Sequence, residues 1–139
     1  MKIIADAIAV ETGGENDVKD LTAAIAGTLT RSGLRDGTVT VFVPGSTAGL
    51  TTIEFESGVI EDFSRLLEKI APSNVPYRHD QRWGDGNGYS HVRASLIGPS
   101  LVIPFSGGRL ALGTWQQAVL VDFDNRPRRR SIVLQFMGE

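Results

Sequence analysis

Between Val59 and Ile70 the apolar residues Val59, Ile60, Phe63, Leu66, Leu67 and Ile70 recur at three- and four-residue spacing. Of the regular structures, the α-helix is the one that gathers such residues into a single stripe. Glu61 and Asp62 lie near its amino end, where the helix dipole favours negative charge, and Pro72 stops the run. The stripe predicts a core helix, so the rest of the chain has to supply a surface that covers it. A second run, from about Asp20 to Ser32, has the same period through Leu21, Ala24, Ile25, Thr28 and Leu29, with Asp20 or Thr22 as cap and Gly33 as stop.

Most other segments alternate instead. Lys2 to Glu11 reads as an opening strand closed by Thr12-Gly13-Gly14, and Val39, Val41 and Val43 form a second, bounded by Asp36-Gly37 and Pro44-Gly45. A third run, Thr51 to Glu56, sets Ile53 and Phe55 on one face and Thr52, Glu54 and Glu56 on the other. Leu101 to Phe105, interrupted by Pro104, leads into a hairpin turn at Ser106-Gly107-Gly108. Thr114 to Phe123 and Arg130 to Phe136 follow, joined by Asp124-Asn125-Arg126-Pro127. Strands before, between and after two principal helices predict an α+β domain, a mainly antiparallel β-sandwich with helices at one side. At 139 residues and 41% hydrophobic content, residues 1–139 make one domain with a sizeable core.

Composition excludes several chemistries. The sequence has no cysteine, which removes thiolate metal sites, disulfides and thiol nucleophiles and suits a cytoplasmic protein. The amino-terminal stretch is too short and too polar for a signal peptide or a membrane span. A net charge of -2 gives no global positive field to recruit nucleic acid. The run Arg126, Arg128, Arg129 and Arg130 sits by Pro127 at a hairpin and lacks interleaved aromatics, so it reads as a solvated cluster.

The chemistry is expected between Tyr77 and Ser100, which holds both histidines, His79 and His91. The loop Gly84-Asp85-Gly86-Asn87-Gly88 separates them, and after it Val92, Ala94 and Leu96 alternate with Arg93, Ser95 and Ile97. That alternation predicts a strand with Tyr89, His91, Arg93 and Ser95 on one face. The imidazoles can converge on one metal or substrate, with Asp80, Asp85 or Glu54 as a further ligand; a surface His79 and a backbone-bonded His91 fit the spacing equally. Pro44-Gly45-Ser46-Thr47-Ala48-Gly49 can offer amides and hydroxyls to an anion, although no lysine follows as in a P-loop. Gly98-Pro99-Ser100 and Gly113-Thr114-Trp115-Gln116-Gln117 add small hydroxyls and amides, and on a strand Trp115 and Gln117 would share a face.

Gly45-Ser46-Thr47-Ala48 with Thr52-Ile53-Glu54, then Ile70-Ala71-Pro72, His79, Asp85-Gly86-Asn87-Gly88 with His91, Leu96 to Ser100, and Arg109 to Gln117 occur in that order. This ordered set, and Leu112-Gly113-Thr114-Trp115-Gln116 above all, resembles the YjbQ-like family, whose members carry the name secondary thiamine-phosphate synthase. The resemblance implies a β-sandwich that self-associates as a homotrimer with clefts near subunit contacts. It implies a small phosphorylated substrate, with no role for nucleic acid or membrane. The implied reaction joins a hydroxymethylpyrimidine diphosphate to a thiazole phosphate and releases diphosphate, with a divalent ion, magnesium or zinc, and arginines neutralising the phosphates.

On that resemblance His79 and His91 coordinate metal or move protons, with Glu54 and Asp85 as further catalytic candidates. Arg93 and Arg109 meet phosphates, Trp115 packs on a ring, and Ser46, Thr47, Asn87, Tyr89, Ser100 and Gln116 complete the substrate-binding set. Two departures stand out. Relatives commonly carry His-x-His where this chain has Tyr89-Ser90-His91, and many place a histidine where it has Gly45 or Ser46. Those replacements thin the metal site and keep two alternatives open: a metal-assisted hydrolase or transferase of another phosphorylated metabolite, and a non-catalytic trimer that binds an anion or small ligand.

Overall fold

The first and last alternating runs pair along their whole length. In the computed structural model, which describes residues 1–139, β1 (Lys2–Thr12) lies antiparallel to β8 (Arg128–Gly138), with Ile8 opposite Ile132 and Thr12 opposite Arg128. On its other edge β8 pairs with β3 (Gly37–Phe42), β3 with β5 (Ser100–Ser106), and β5 with the short β6 (Arg109–Leu110). The result is a five-stranded antiparallel sheet in the order β1-β8-β3-β5-β6. A second sheet, β2-β7-β4, consists of β2 (Asp17–Asp20), β7 (Gln117–Asp122) and β4 (Ala48–Ile53), again antiparallel.

Period-two burial explains how the sheets stack. Val39 and Val41 of β3, Ile132, Leu134 and Phe136 of β8, and Leu50 and Leu120 of the small sheet belong to one buried cluster, which also takes Ile25 and Leu29 of α1 (Thr22–Ser32). The alternate residues of β7, Val119 and Val121, turn to the opposite face and pack with Phe123, Leu67 and Ala94. β7 is therefore buried on both sides, which is why its run is almost wholly apolar. Its outer face is covered by α2 (Ser57–Ile70) and α4 (Gly88–Ile97), while α3 (Arg78–Trp83) leads into α4. The α+β sandwich expected from the sequence is the fold observed.

Four local expectations are corrected. The third strand runs Ala48–Ile53, not to Glu56, because Glu56 caps α2 by accepting from the amides of Gly58 and Val59. Those bonds hold the exposed Glu56 carboxyl below its ordinary value. The Val59–Ile70 helix is not a core helix in this chain: Leu67 is buried, but Leu66 and Ile70 are 53% and 55% exposed. Thr114 to Gln116 form a turn closed by the Gln116 amide on the Gly113 carbonyl, 3.1 Å away, so the strand-face assignment of Trp115 and Gln117 does not apply.

Most consequential is the fourth. Gly88 to Ile97 is a helix, not a strand. Its inward residues, Ser90, Arg93, Ala94 and partly Ile97, sit three and four apart, while Val92 and Leu96 face solvent. Because the interior positions are polar or small and the exposed ones apolar, the hydropathy pattern followed the wrong period.

Candidate functional site

The hairpin of α3 and α4 brings the histidines together. Asp80, in the first turn of α3, accepts the Gly88 amide at 2.8 Å and so ties the start of α4 to α3. A Cβ on Gly88 would lie 2.5 Å from Cβ of Tyr77, so the residue type at 88 sets how closely the two segments pack. The imidazoles of His79 and His91 stand with ring centroids 4.3 Å apart and planes inclined by 49°. Asn87 links them to the loop. With its amide nitrogen toward its neighbours it donates to Asp85 Oδ1 at 3.0 Å and to His79 Nε2 at 3.1 Å. Asp85 Oδ1 lies 3.4 Å from His79 Nε2.

His91 is pushed below its ordinary value of 6.5, first by burial and then by His79, against the pull of Asp85, Asp124 and Asp80. At neutral pH it is an uncharged imidazole, able to accept a proton from one partner or to donate a hydrogen bond to another.

Facing the histidines is the Gly45-Ser46-Thr47 segment between β3 and β4, and beneath it lies an ion-paired cluster that the sequence reading missed. Arg130 donates from Nε to Asp122 Oδ2 at 2.8 Å and from Nη2 to Asp122 Oδ1 at 2.9 Å, and Nη2 also reaches Thr47 Oγ1 at 2.7 Å. Arg128 donates from Nε to Asp124 Oδ2 at 2.8 Å, and Thr47 Oγ1 donates to the same oxygen at 3.0 Å. Thr12 Oγ1 completes the cluster on Asp122 Oδ2 at 2.6 Å.

Both carboxylates are fully buried. Burial pushes Asp122 up, but Arg130, the Thr12 hydroxyl and the Asp124 amide outweigh it and leave the carboxyl below its ordinary value. Asp124 follows the same balance through Arg128, Thr47 and the Asn125 amide. Two of the four arginines expected to be a solvated cluster are thus committed to buried acids, because Arg128 and Arg130, two apart on a strand, share one face, whereas Arg129 points to solvent. The available signal was the pairing of Asp122-x-Asp124 with Arg128-x-Arg130.

Between these walls lies a cleft of about 530 Å³, floored by Thr47, Arg128 and Arg130 and walled by His79 and His91, with Trp83 at its rim. It adjoins a smaller cavity of about 260 Å³ that runs along α4 past Ala94 and Ser95 to Gly98-Pro99. Of the residues expected at the site, His79, His91, Asp85, Asn87, Ser46 and Thr47 meet here.

The others lie elsewhere. Tyr89, two residues from His91 on a helix, points away from it and donates to Glu15 Oε2 at 3.1 Å, with its own proton held more tightly by burial. Arg93 is 2% exposed, and its donors go to the Ala71 carbonyl, Glu68 and Asn16. Glu54 and Trp115 share a separate cleft of about 340 Å³ with Asp20 and Phe55, and Gln116 donates to Thr52 Oγ1 at 3.2 Å. Ser100 and Arg109 are exposed on β5 and β6.

The donor set bears on metal binding. No group of three or more His, Asp or Glu side chains is placed to hold an ion. Two imidazoles and one carboxylate already engaged with Asn87 do not complete the shell of zinc or magnesium from protein atoms.

Comparison with known proteins gives a consistent picture. A sequence model of the family described as "UPF0047 protein YjbQ-like" matches residues 6–139. A UPF0047 protein of Archaeoglobus fulgidus is 42% identical over 99 residues, 71% of this chain and 77% of that protein. One from Mycobacterium tuberculosis is 39% identical over 132 residues, 95% of this chain and 96% of its own. Among solved structures, a YbjQ-like protein of unknown function from Sulfolobus solfataricus superposes with a TM-score of 0.93 at 30% identity, covering 99% of each chain. A hypothetical protein from Aeropyrum pernix gives 0.90 at 32% identity, covering 98% of this chain and 99% of that one.

Proposed function

Since the chain belongs to the YjbQ-like UPF0047 family, we propose that it is a transferase of the thiamine-phosphate synthase type, joining a hydroxymethylpyrimidine diphosphate to a thiazole phosphate. The observation that carries this reading is the placement of the His79–His91 pair opposite the Ser46-Thr47 segment across one cleft of about 530 Å³. In this reaction the pyrimidine's CH2–O bond breaks, its electron pair leaves with diphosphate, and the lone pair of the thiazole nitrogen forms the new C–N bond. No base is consumed. The demand is for donors that meet the departing diphosphate and for a pocket that excludes competing water.

His91 suits the first demand as a neutral donor, with His79 beside it. Ser46, exposed at the cleft wall, adds a hydroxyl. A divalent ion enters this reading as a companion of the substrate's phosphates, which is the usual state of magnesium in such sites. Purified protein supplied with both precursors and magnesium is expected to form thiamine phosphate and diphosphate, and His91→Ala to slow formation by about 100-fold, the cost of losing one donor aimed at developing charge. No product from wild-type protein would end the reading.

A second reading is favoured by the lowered pKa of His91, because a neutral imidazole can also activate water against a phosphate ester. A panel of phosphate monoesters that releases phosphate in a His91-dependent way, without thiamine phosphate synthesis, would select it.

A further inference from the structure

We infer that Arg128 and Arg130, with Ser46 and the open face of Gly45, form a subsite for a tetrahedral phosphoryl group, the terminal phosphate of a monoester or a diphosphate. The inference deepens the reading above and rests on the same cleft. It concerns residues whose side chains look structural at first sight, since each guanidinium is paired with a buried carboxylate.

The unused atoms distinguish the two roles. Arg130 spends Nε and Nη2 on Asp122 and Thr47, and Arg128 spends Nε and Nη2 on Asp124. In both, Nη1 has no hydrogen-bond partner in the protein. Neither is an orphan sealed in the core: the one buried side-chain polar atom lacking a partner is Ser90 Oγ, and both arginines line the cleft. A guanidinium held by Nε and Nη2 with Nη1 free presents a fixed charged donor to an anion, with little side-chain entropy left to lose.

Gly45 keeps the Nη1 of Arg130 uncovered. A Cβ there would lie 3.2 Å from Arg130 Nη1, and the backbone at φ +129° is one that residues with side chains rarely adopt. The space over Nη1 is therefore kept clear by the residue type. Ser46 is exposed beside it and its hydroxyl makes no bond within the protein. Two Nη1 groups and a hydroxyl together offer as many donors as a phosphoryl group has peripheral oxygens.

The charge balance is compatible. Asp122 and Asp124 cancel the two arginines formally, but they lie fully buried behind them with their oxygens occupied, so an anion in the cleft meets N–H groups first. A planar carboxylate has two oxygens for these three donor groups; a phosphoryl group has three. Asp85, half exposed on the histidine side, leaves the Arg128–Arg130 side as the anion's end of the cleft.

The test is a titration of the full-length protein with inorganic phosphate and diphosphate at low ionic strength, followed by calorimetry and by NMR of the arginine side-chain N–H signals. Saturable binding that shifts the Arg128 and Arg130 signals is expected. Arg128→Gln should weaken diphosphate binding by about tenfold or more, the loss of one charge-assisted contact. Because that change can unfold the protein, Ser46→Ala serves as the second variant and should weaken binding about threefold, a neutral hydrogen bond's share. No binding, or binding that leaves the two arginine signals and both variants unchanged, would overturn the subsite. The synthase assay fails independently: binding at these arginines without thiamine phosphate formation would retire the transferase and keep the subsite, and synthesis with silent arginines would do the reverse.

Discussion

Arg130 grips Asp122 by two parallel hydrogen bonds, 2.8 Å from Nε to Oδ2 and 2.9 Å from Nη2 to Oδ1, with the carboxylate entirely removed from solvent. The pair spans the sandwich. Asp122 ends the central strand of the small sheet and Arg130 lies near the start of β8 in the large one, so their geometry fixes the two sheets relative to each other at the cleft.

Removing one partner should cost more than removing both. Arg130→Met strands a carboxylate at 0% exposure, and the expected loss of stability is about 3–5 kcal/mol. The double variant Asp122→Leu/Arg130→Met leaves no unpaired charge at position 122 and should recover part of it. Urea unfolding measures both. A single variant as stable as wild type would mean that solvent reaches Asp122.

The same groups make stability depend on pH with a definite sign. Asp122 and Asp124 bind protons less readily folded than unfolded, so their contribution is full above the ordinary carboxyl value of 3.8 and is lost as pH falls through the lowered ones. His91 behaves in the same direction from a higher start. Its lowered value means that the unfolded chain takes up the proton first, so stability is full above 6.5 and declines as pH falls from there. The urea midpoint should therefore drop in two stages on acidification. His91→Gln should flatten part of the upper stage, and NMR titration of the His91 ring should place its midpoint below 6.5.

How much of this was legible depended on whether burial and hydropathy agree. In β3, β7 and β8 they do: β3 and β8 follow from alternation, and β7 from a continuous apolar run. In α4 they disagree. Exposed Val92 and Leu96 share their alternation with buried Ala94, and Arg93, on the polar side of that pattern, is buried, so the pattern points to a strand. The histidines were found because there are only two. Asp122 and Asp124 sit at the end of a strand and in its turn, and the one hint of their pairing is the matched two-residue spacing with Arg128 and Arg130, which does not by itself say that a carboxylate next to Leu120 and Val121 will meet an arginine from the other sheet. Glu54 is grouped with the histidines as a spare carboxylate and Trp115 through the resemblance; within one chain they line a different cleft.

Arg93 should prove to be a stabilising residue of the single chain. Its guanidinium bonds the Ala71 carbonyl at 2.8 and 3.0 Å, Asn16 at 3.0 Å and Glu68 at 2.6 Å, and lies 4.9 Å from the centre of the Tyr89 ring. A lysine head cannot reach three such partners in a planar fan, so Arg93→Lys is expected to cost about 2 kcal/mol. Diphosphate affinity should stay within about twofold, because no donor facing the cleft is lost. A large loss of affinity with unchanged unfolding would place Arg93 among the ligand contacts after all.

Gly45 offers the sharpest separation of folding from binding. Gly45→Ala forces a side chain into a backbone at φ +129° and sets its Cβ 3.2 Å from Arg130 Nη1. The strain is expected to cost about 1–3 kcal/mol. If the space over Nη1 is where a phosphoryl oxygen sits, the same methyl also displaces the ligand, and diphosphate binding should weaken even under conditions where the variant is fully folded. Arg128 and Ser46 stay in place, so binding is reduced rather than abolished. Calorimetry on the folded variant, beside its urea curve, decides the matter: destabilisation with intact affinity would mean that Gly45 serves the turn alone and that the ligand's phosphate lies on the histidine side of the cleft.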